Sequence, residues 1–162
     1  LDGLVRSHAG FGSDLEIELT GVVSEEVLQS LRDHHLEPYL KLHPYVPHAR
    51  ALDMQRHAQV LLLLEINAPQ TRGIIPGKLF EYMAASRPVL GIGPAGWEAG
   101  ALLQRCGCGA SFEYDQEDAI AAKLLEWYRL YREGTLEIEG EGVARFHRRA
   151  LTERLVKEVL WA

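Results

Sequence analysis

The stretch that decides the fold is Gly73–Pro94, GIIPGKLFEYMAASRPVLGIGP. It opens as a loop rich in glycine and proline, and a helical pattern follows with Pro76 at or near its first position. An apolar strand and a second Gly/Pro turn complete it. Lys78 falls in the first turn of the predicted helix, where the helix dipole disfavours a cation. The chain is acidic overall, yet it carries no acidic residue from Ile66 to Phe80.

Outward from this stretch, short apolar runs alternate with helical patterns. Strands are predicted at Leu15–Gly21, Leu40–Val46, Gln59–Ile66, Pro88–Gly93 and Gly109–Tyr114. The third run is apolar on both faces, as in a parallel sheet that is covered on both sides. Short connections between alternating strands and helices predict an α/β fold with a doubly wound, Rossmann-like parallel sheet. A linker, Glu137–Gly142, precedes a last amphipathic helix over Val143–Ala162.

Composition narrows the class of protein. The 162 residues suffice for a single domain, residues 1–162, and the net charge of −6 argues against binding to nucleic acid. No apolar run has the roughly 20 residues of a membrane span. Cys106 and Cys108 are expected to be reduced thiols, which fits a cytoplasmic location, and no metal-ligand spacing is present. Because the chain begins at Leu1 and not at methionine, we expect a piece of a longer protein.

Ligands of doubly wound sheets bind outside the carboxyl ends of the strands. The loop Glu65–Gly77 leaves the carboxyl end of the third predicted strand. It carries Arg72, and Lys78 follows the loop directly. Unpaired N–H groups at a helix start attract anions, and glycines let the backbone approach a ligand. Either this segment binds a phosphate group or Lys78 is a solvated lysine paired with Glu81. Glu81 in turn either accepts hydrogen bonds from the two hydroxyls of a ribose or is an ordinary surface glutamate.

Three segments carry a resemblance to a known family: Ile75–Pro94 (IPGKLFEYMAASRPVLGIGP), His43–Leu64 and Phe146–Leu160. Together they resemble the donor-binding part of GT-B glycosyltransferases, particularly family 4. The pattern Pro-x-Lys-x-x-Glu-Tyr-Met-Ala-Ala-x-x-Pro-Val is specific. The resemblance implies a nucleotide-sugar-binding domain that forms the C-terminal half of a GT-B enzyme.

The resemblance also implies roles for individual residues. Glu81 matches the glutamate that binds the donor ribose, and Lys78 matches a residue that faces the donor diphosphate. The backbone of the same segment is implied to face the diphosphate at Gly73, Ile74 and Gly77. The turn beside the nucleobase is matched by Tyr45, Val46 and Pro47, which leaves His48 as a helix-start residue. No catalytic residue, metal or cofactor is assigned.

This chain departs from the family in three places. Gly73 stands where many members have a second glutamate near the donor sugar, and Ser86 stands where a glycine is usual. The acceptor-binding domain and the first strand of the donor domain are not recognisable. Leu1–Gly10 resembles the helix that follows that strand. In the family the first strand lies at the centre of the sheet. The strands that begin near Leu15 and Val60 are therefore expected to flank a gap, to close up, or to receive a strand from another chain.

The expected function is therefore the donor-binding part of an enzyme that moves a sugar from a nucleotide-sugar to a glycan, lipid or small-molecule acceptor. The chain alone is expected to transfer no sugar, and an exposed strand edge favours a homo-oligomer. Two alternatives remain open at this point. One is an enzyme resembling the sugar-nucleotide 2-epimerases, and the other is a non-catalytic α/β nucleotide-binding or signalling module.

Overall fold

A computed structural model describes residues 1–138, 140 and 142–160 of the chain. Their structure is α/β, with parallel strands separated in sequence by helices. Within these residues no helix is both long enough and apolar enough to cross a membrane. Glu139 and Glu141 of the predicted linker, and Trp161 and Ala162 at the end of the last predicted helix, lie outside the described residues.

All five predicted strands are present, each as a four-residue core. They are β1 (Ile17–Thr20), β2 (Leu40–His43), β3 (Leu61–Leu64), β4 (Val89–Ile92) and β5 (Gly109–Phe112). Every pairing among them is parallel, but the strands form two sheets, one of β1 and β2 and one in the order β3-β4-β5. In the described part of the chain no ladder joins the two sheets, so one continuous doubly wound sheet is not observed.

Helices precede, connect and follow the strands, and the connecting helices make the crossovers that parallel pairing requires. They are α1 (Asp2–Ser7), α2 (Phe11–Asp14), α3 (Glu25–Asp33), α4 (His48–His57), α5 (Lys78–Ala84), α6 (Glu98–Arg105), α7 (Glu117–Arg132) and α8 (Arg148–Leu155). Ser24 caps α3, because its hydroxyl accepts a hydrogen bond from the Val27 N–H at 3.4 Å. His48 begins α4, as predicted.

The chain divides into two compact units, Leu1–Met54 and Gln55–Ala162. In the first unit the buried apolar side chains are Leu4, Phe11 and Leu36. They belong to the N-terminal helices and to the turn after α3, while the apolar residues of β1 and β2 are half-buried or exposed. This unit therefore has a small core.

The second unit contains the main apolar core, between β3, β4, α5 and α6. Its members are Leu61, Leu63, Leu79, Met83, Val89, Trp97, Ala99, Leu102, Leu103, Cys106 and Cys108. Helix α6 packs closely on the sheet, because a Cβ built on Gly100 would lie 2.2 Å from the Ser111 Oγ. The loops that leave the strands of the second unit therefore start from a well-packed sheet.

Two sequence predictions for this unit need correction. The helix predicted from Pro76 begins at Lys78, with Gly77 as its N-cap, because Pro76 closes a tighter turn in which its carbonyl accepts from the Leu79 N–H at 2.9 Å. The third strand is covered on one face only. Leu61 and Leu63 are buried, whereas Leu62 and Leu64 are 48% and 56% exposed.

The last predicted helix is interrupted. Val143–Phe146 forms a 3-10 turn, α8 follows from Arg148, and the chain widens into a π turn over Val156–Leu160. Val143 and Phe146 pack against the main core, and the Phe146 ring lies 5.6 Å from the Phe80 ring of α5. The segment before α8 therefore braces the helix that carries Lys78.

Candidate functional site

The predicted diphosphate segment is a loop followed at once by α5. Lys78 is the first residue of that helix and therefore lies in its first turn, as the sequence predicts. The expectation of unpaired N–H groups in the first turn is only partly met, because the Leu79 N–H donates to the Pro76 carbonyl and the Phe80 N–H to the Gly77 carbonyl. With two amides engaged, the side chain of Lys78 is the main positive feature at this helix start.

Lys78 is exposed, and none of the hydrogen bonds or ion pairs found among the described residues involves its side chain. The i, i+3 ion pair with Glu81, which the sequence left open, is not formed. Arg72 is also exposed, and its guanidinium has no described partner either. Two unneutralised cations therefore flank the loop Gly73–Gly77.

Glu81 lies one turn further along α5 and is half-buried. Its Oε2 accepts a hydrogen bond from the Gln55 Nε2 at 3.4 Å, and the residue has a further interaction in the structure. Its neighbour Tyr82 has a pKa raised by burial and, secondarily, by the Glu81 charge. The Glu81 carboxylate is thus restrained by neighbouring residues and does not project freely into solvent.

The backbone of the loop is fixed from α6. The Trp97 Nε1 donates to the Ile74 carbonyl at 2.9 Å, and the Glu98 N–H donates to the Arg72 carbonyl at 2.8 Å. Trp97 is buried, and a Cβ on Gly93 would lie 2.6 Å from its ring. Sequence reasoning missed Trp97. The signal available was a tryptophan directly after the turn that ends β4, immediately before α6.

Gly73 and Gly77 are not required by the fold. Neither has a positive φ, and a Cβ built on either would meet nothing within 4 Å. An alanine would fit at both positions in this structure. The open space beside each glycine is compatible with a close approach of a ligand to the backbone.

An open cleft of about 360 Å³ lies where β3, β4 and β5 end. Its lining residues follow the three strands in turn: Asn67, Pro69, Arg72, Pro94, Ala95, Glu113, Tyr114 and Asp115. The Tyr114 hydroxyl donates to the Glu65 carbonyl at 2.7 Å, and the pKa of Tyr114 is raised by burial and by the nearby Glu65. The cleft has the location typical of ligand sites in parallel sheets. Arg72 lines the cleft and directly precedes the loop Gly73–Gly77.

The predicted nucleobase turn belongs to the first unit. Tyr45 and Pro47 are exposed and Val46 is half-buried. The Pro47 carbonyl accepts from the N–H groups of Arg50 and Ala51 at 2.9 and 3.1 Å, so Pro47 lies directly before the first turn of α4. The remaining predicted residues, Gly73, Ile74, Gly77, Lys78 and Glu81, lie together on one loop and helix of the second unit.

The described residues were also compared with the requirements of a metal site and of a reactive thiol. Across the described residues no group of three or more histidine, cysteine, aspartate or glutamate side chains could hold a metal ion. Cys106 and Cys108 are free and buried, and burial raises the pKa of Cys108 to about 11. A thiol with so high a pKa is a poor nucleophile at neutral pH.

Comparison with known proteins adds no family: no protein-family model matches the chain, and no curated protein matches it.

Proposed function

We propose that this chain is the donor-binding part of a sugar-nucleotide-dependent glycosyltransferase. The observation that carries the proposal is Lys78, an exposed cation at a helix start with no described partner. A cation there costs up to about 1 kcal/mol unless an anion offsets it. A bound diphosphate would supply that anion, and the fixed loop Gly73–Gly77 would present its backbone to the same group.

Glu81 supports the same proposal. One helical turn separates it from Lys78, and its carboxylate is held by a hydrogen bond from Gln55. A diphosphate beside Lys78 would leave the ribose of the same nucleotide close enough for Glu81 to accept from its hydroxyls. A carboxylate that accepts from ribose hydroxyls is a recurring feature of nucleotide sites in parallel α/β folds.

The chemistry assigned to these residues is positioning and charge stabilisation. In sugar transfer from a nucleotide-sugar, negative charge develops on the leaving diphosphate, and a preorganised cation lowers the barrier by stabilising that charge. Lys78, aided by Arg72, would fill this role in the complete enzyme. The proposal includes a Rossmann-like, doubly wound donor domain and a cytoplasmic location, and the parallel pairing of all five strands supports the first of these.

The test is titration calorimetry of the chain with uridine, guanosine and adenosine diphosphates, and with the matching nucleosides. Lys78→Ala should weaken diphosphate binding by roughly 1.5–3 kcal/mol, the value of a charge-assisted hydrogen bond, and should leave nucleoside binding nearly unchanged. Lys123→Ala is the matched control, because Lys123 is paired with Glu126 on α7, outside the proposed site.

Glu81→Gln should weaken ribonucleotide binding, whereas a 2′,3′-dideoxy analogue should bind the wild type and the variant almost equally. Glu117→Gln, at the exposed start of α7, controls for the loss of a negative charge. If the folded wild-type chain binds none of the three diphosphates, the proposal is wrong. Sugar transfer by the chain alone, above that of a Glu81→Ala control, would contradict the view that it is only the donor-binding part.

A further inference from the structure

The amide of Gln55 has a role that the proposed function does not yet explain. Gln55 is half-buried near the end of α4, and its Nε2 is the donor that reaches the Glu81 Oε2 at 3.4 Å. Both residues belong to the second compact unit. Glu81 has another interaction as well, so Gln55 is one of its partners and not its sole support.

The orientation of this amide is set by the carboxylate. Only the NH₂ group of a glutamine can donate, and the reversed amide would place two acceptors against each other. With the NH₂ group on Glu81, the amide Oε1 is directed elsewhere. This Oε1 is buried and has no hydrogen-bond partner among the described residues.

A buried acceptor without a partner lowers the stability of the folded chain, and most buried polar atoms in proteins are paired. A methionine of similar length would fill the same space without that penalty. The feature that needs the amide is the hydrogen bond to Glu81.

We infer that Gln55 is a positioning residue that holds the Glu81 carboxylate in place for the vicinal hydroxyls of a bound ribose. The inference rests on the proposed function. Gln55 donates to the Oε2 of the carboxylate and, together with the further partner of Glu81, limits its movement. The remaining lone pairs of Glu81 are then oriented before the ligand arrives, which reduces the entropy lost on binding.

The variant that tests this inference is Gln55→Met. The thermal midpoint of the free chain should stay the same or rise, because an unpaired buried oxygen is removed. Affinity for the ribonucleoside diphosphate should fall about three- to tenfold, as expected for loss of one hydrogen bond that orders the site. Affinity for the 2′,3′-dideoxy analogue should not change. A glutamine that only filled space would leave the ratio of the two affinities unchanged, and that result would overturn the inference.

Gln29→Met is the matched control. The Gln29 Nε2 also donates to a carboxylate, the Asp33 Oδ1 at 2.8 Å, but on the exposed surface of α3. This variant should leave the ratio of ribose to dideoxy affinity as it is in the wild type. In a Glu81→Gln background, Gln55→Met should have no further effect on ribonucleotide affinity, since the carboxylate that it positions is gone.

The outcomes separate this inference from the proposed function. If the wild type fails to bind nucleoside diphosphates, or binds ribose and dideoxy forms equally, the ribose role of Glu81 is wrong and the role of Gln55 falls with it. If the wild type discriminates between the two forms and Gln55→Met keeps the full ratio, only the role of Gln55 is overturned.

Discussion

The sheet of β3, β4 and β5 lies against a continuous apolar core, whereas the sheet of β1 and β2 has little buried side-chain material of its own. Both arise from the same sequence pattern, a short apolar run followed by a helix. In β4 every residue but the last is buried, and in β1 buried residues are lacking altogether. Helix α3 likewise buries none of its side chains, while α6 buries four residues.

This contrast shows that alternation of strands and helices does not fix how much of each element is buried. The candidate site is on the well-packed side. The loop Gly73–Gly77 is tied to α6 through Trp97, and α6 is anchored in the main core. Elements with few buried apolar contacts open at lower free energy than core elements. We therefore expect the second unit to hold its loop firmly even if β1 and β2 open locally.

The largest expected difference between the two regions comes from replacing one leucine in each by alanine. Leu103→Ala removes a fully buried side chain from the main core and should lower the free energy of unfolding by about 3–5 kcal/mol, through lost burial and a residual cavity. Leu28→Ala, at a half-buried position of α3, should cost only about 1 kcal/mol. Urea denaturation of both variants measures the two values. Equal losses would show that the first unit is as well packed as the second.

A second test adds atoms where the three-stranded sheet is tightest. In Gly109→Ala the new Cβ would lie 2.0 Å from the Val89 carbonyl oxygen, so β4 and β5 must separate. We expect a loss of about 2–3 kcal/mol in the free energy of unfolding. Gly3→Ala is the control, since a Cβ on this α1 glycine meets nothing within 4 Å and should be neutral or slightly stabilising. Normal stability of Gly109→Ala would contradict the close approach of the strands.

A third test replaces one serine by glycine in each unit, at a strained backbone position in the second unit and at an ordinary helical position in the first. Ser86, just past the end of α5, has a φ of +56°, a conformation that suits glycine. Ser86→Gly should raise the free energy of unfolding by about 0.5–1 kcal/mol. Ser30→Gly, inside α3, should lower it by up to about 1 kcal/mol. Thermal denaturation of both variants checks the opposite signs, and a loss of stability in Ser86→Gly would argue against the left-handed conformation.

The smallest effect concerns the two-stranded sheet. A hydrogen bond from Lys41 holds the pKa of Glu16 below its ordinary value of 4.5. Because the folded-state pKa is the lower one, this pair stabilises the fold above pH 4.5, and the contribution disappears as the pH falls through the folded pKa. The contribution is small because both groups are exposed and screened. The difference in unfolding free energy between wild type and Lys41→Met should therefore shrink on acidification. A difference that grows in acid would contradict the lowered pKa of Glu16.

The sequence predicted most of the local structure. Each of the five strands was located, because short runs rich in leucine, β-branched or aromatic residues and followed by turn residues are strand signals. The start of α5 was placed near its true position. The error there came from Pro76, which closes a tighter turn before the helix instead of opening it. The strands were predicted too long, by one to three residues at the ends that differ.

The candidate site was predicted only in part. Lys78 and Glu81 stand out by their spacing and by the acid-free stretch before them. Trp97 and Gln55 do not, because their contacts with Ile74 and Glu81 join residues far apart in sequence. The roles of Tyr45, Val46 and Pro47 at a nucleobase stay predictions, as does the single domain over residues 1–162.

The sequence by itself determined the strand and helix pattern and the parallel class, since these follow from hydrophobic period, turn residues and short connections. Only the tertiary structure decided which faces are covered and which charges are left unpaired. Leu61 and Leu62 are the same residue type side by side, yet one is buried and the other exposed. Burial and pairing depend on neighbours brought together from distant parts of the chain, which a local pattern does not encode.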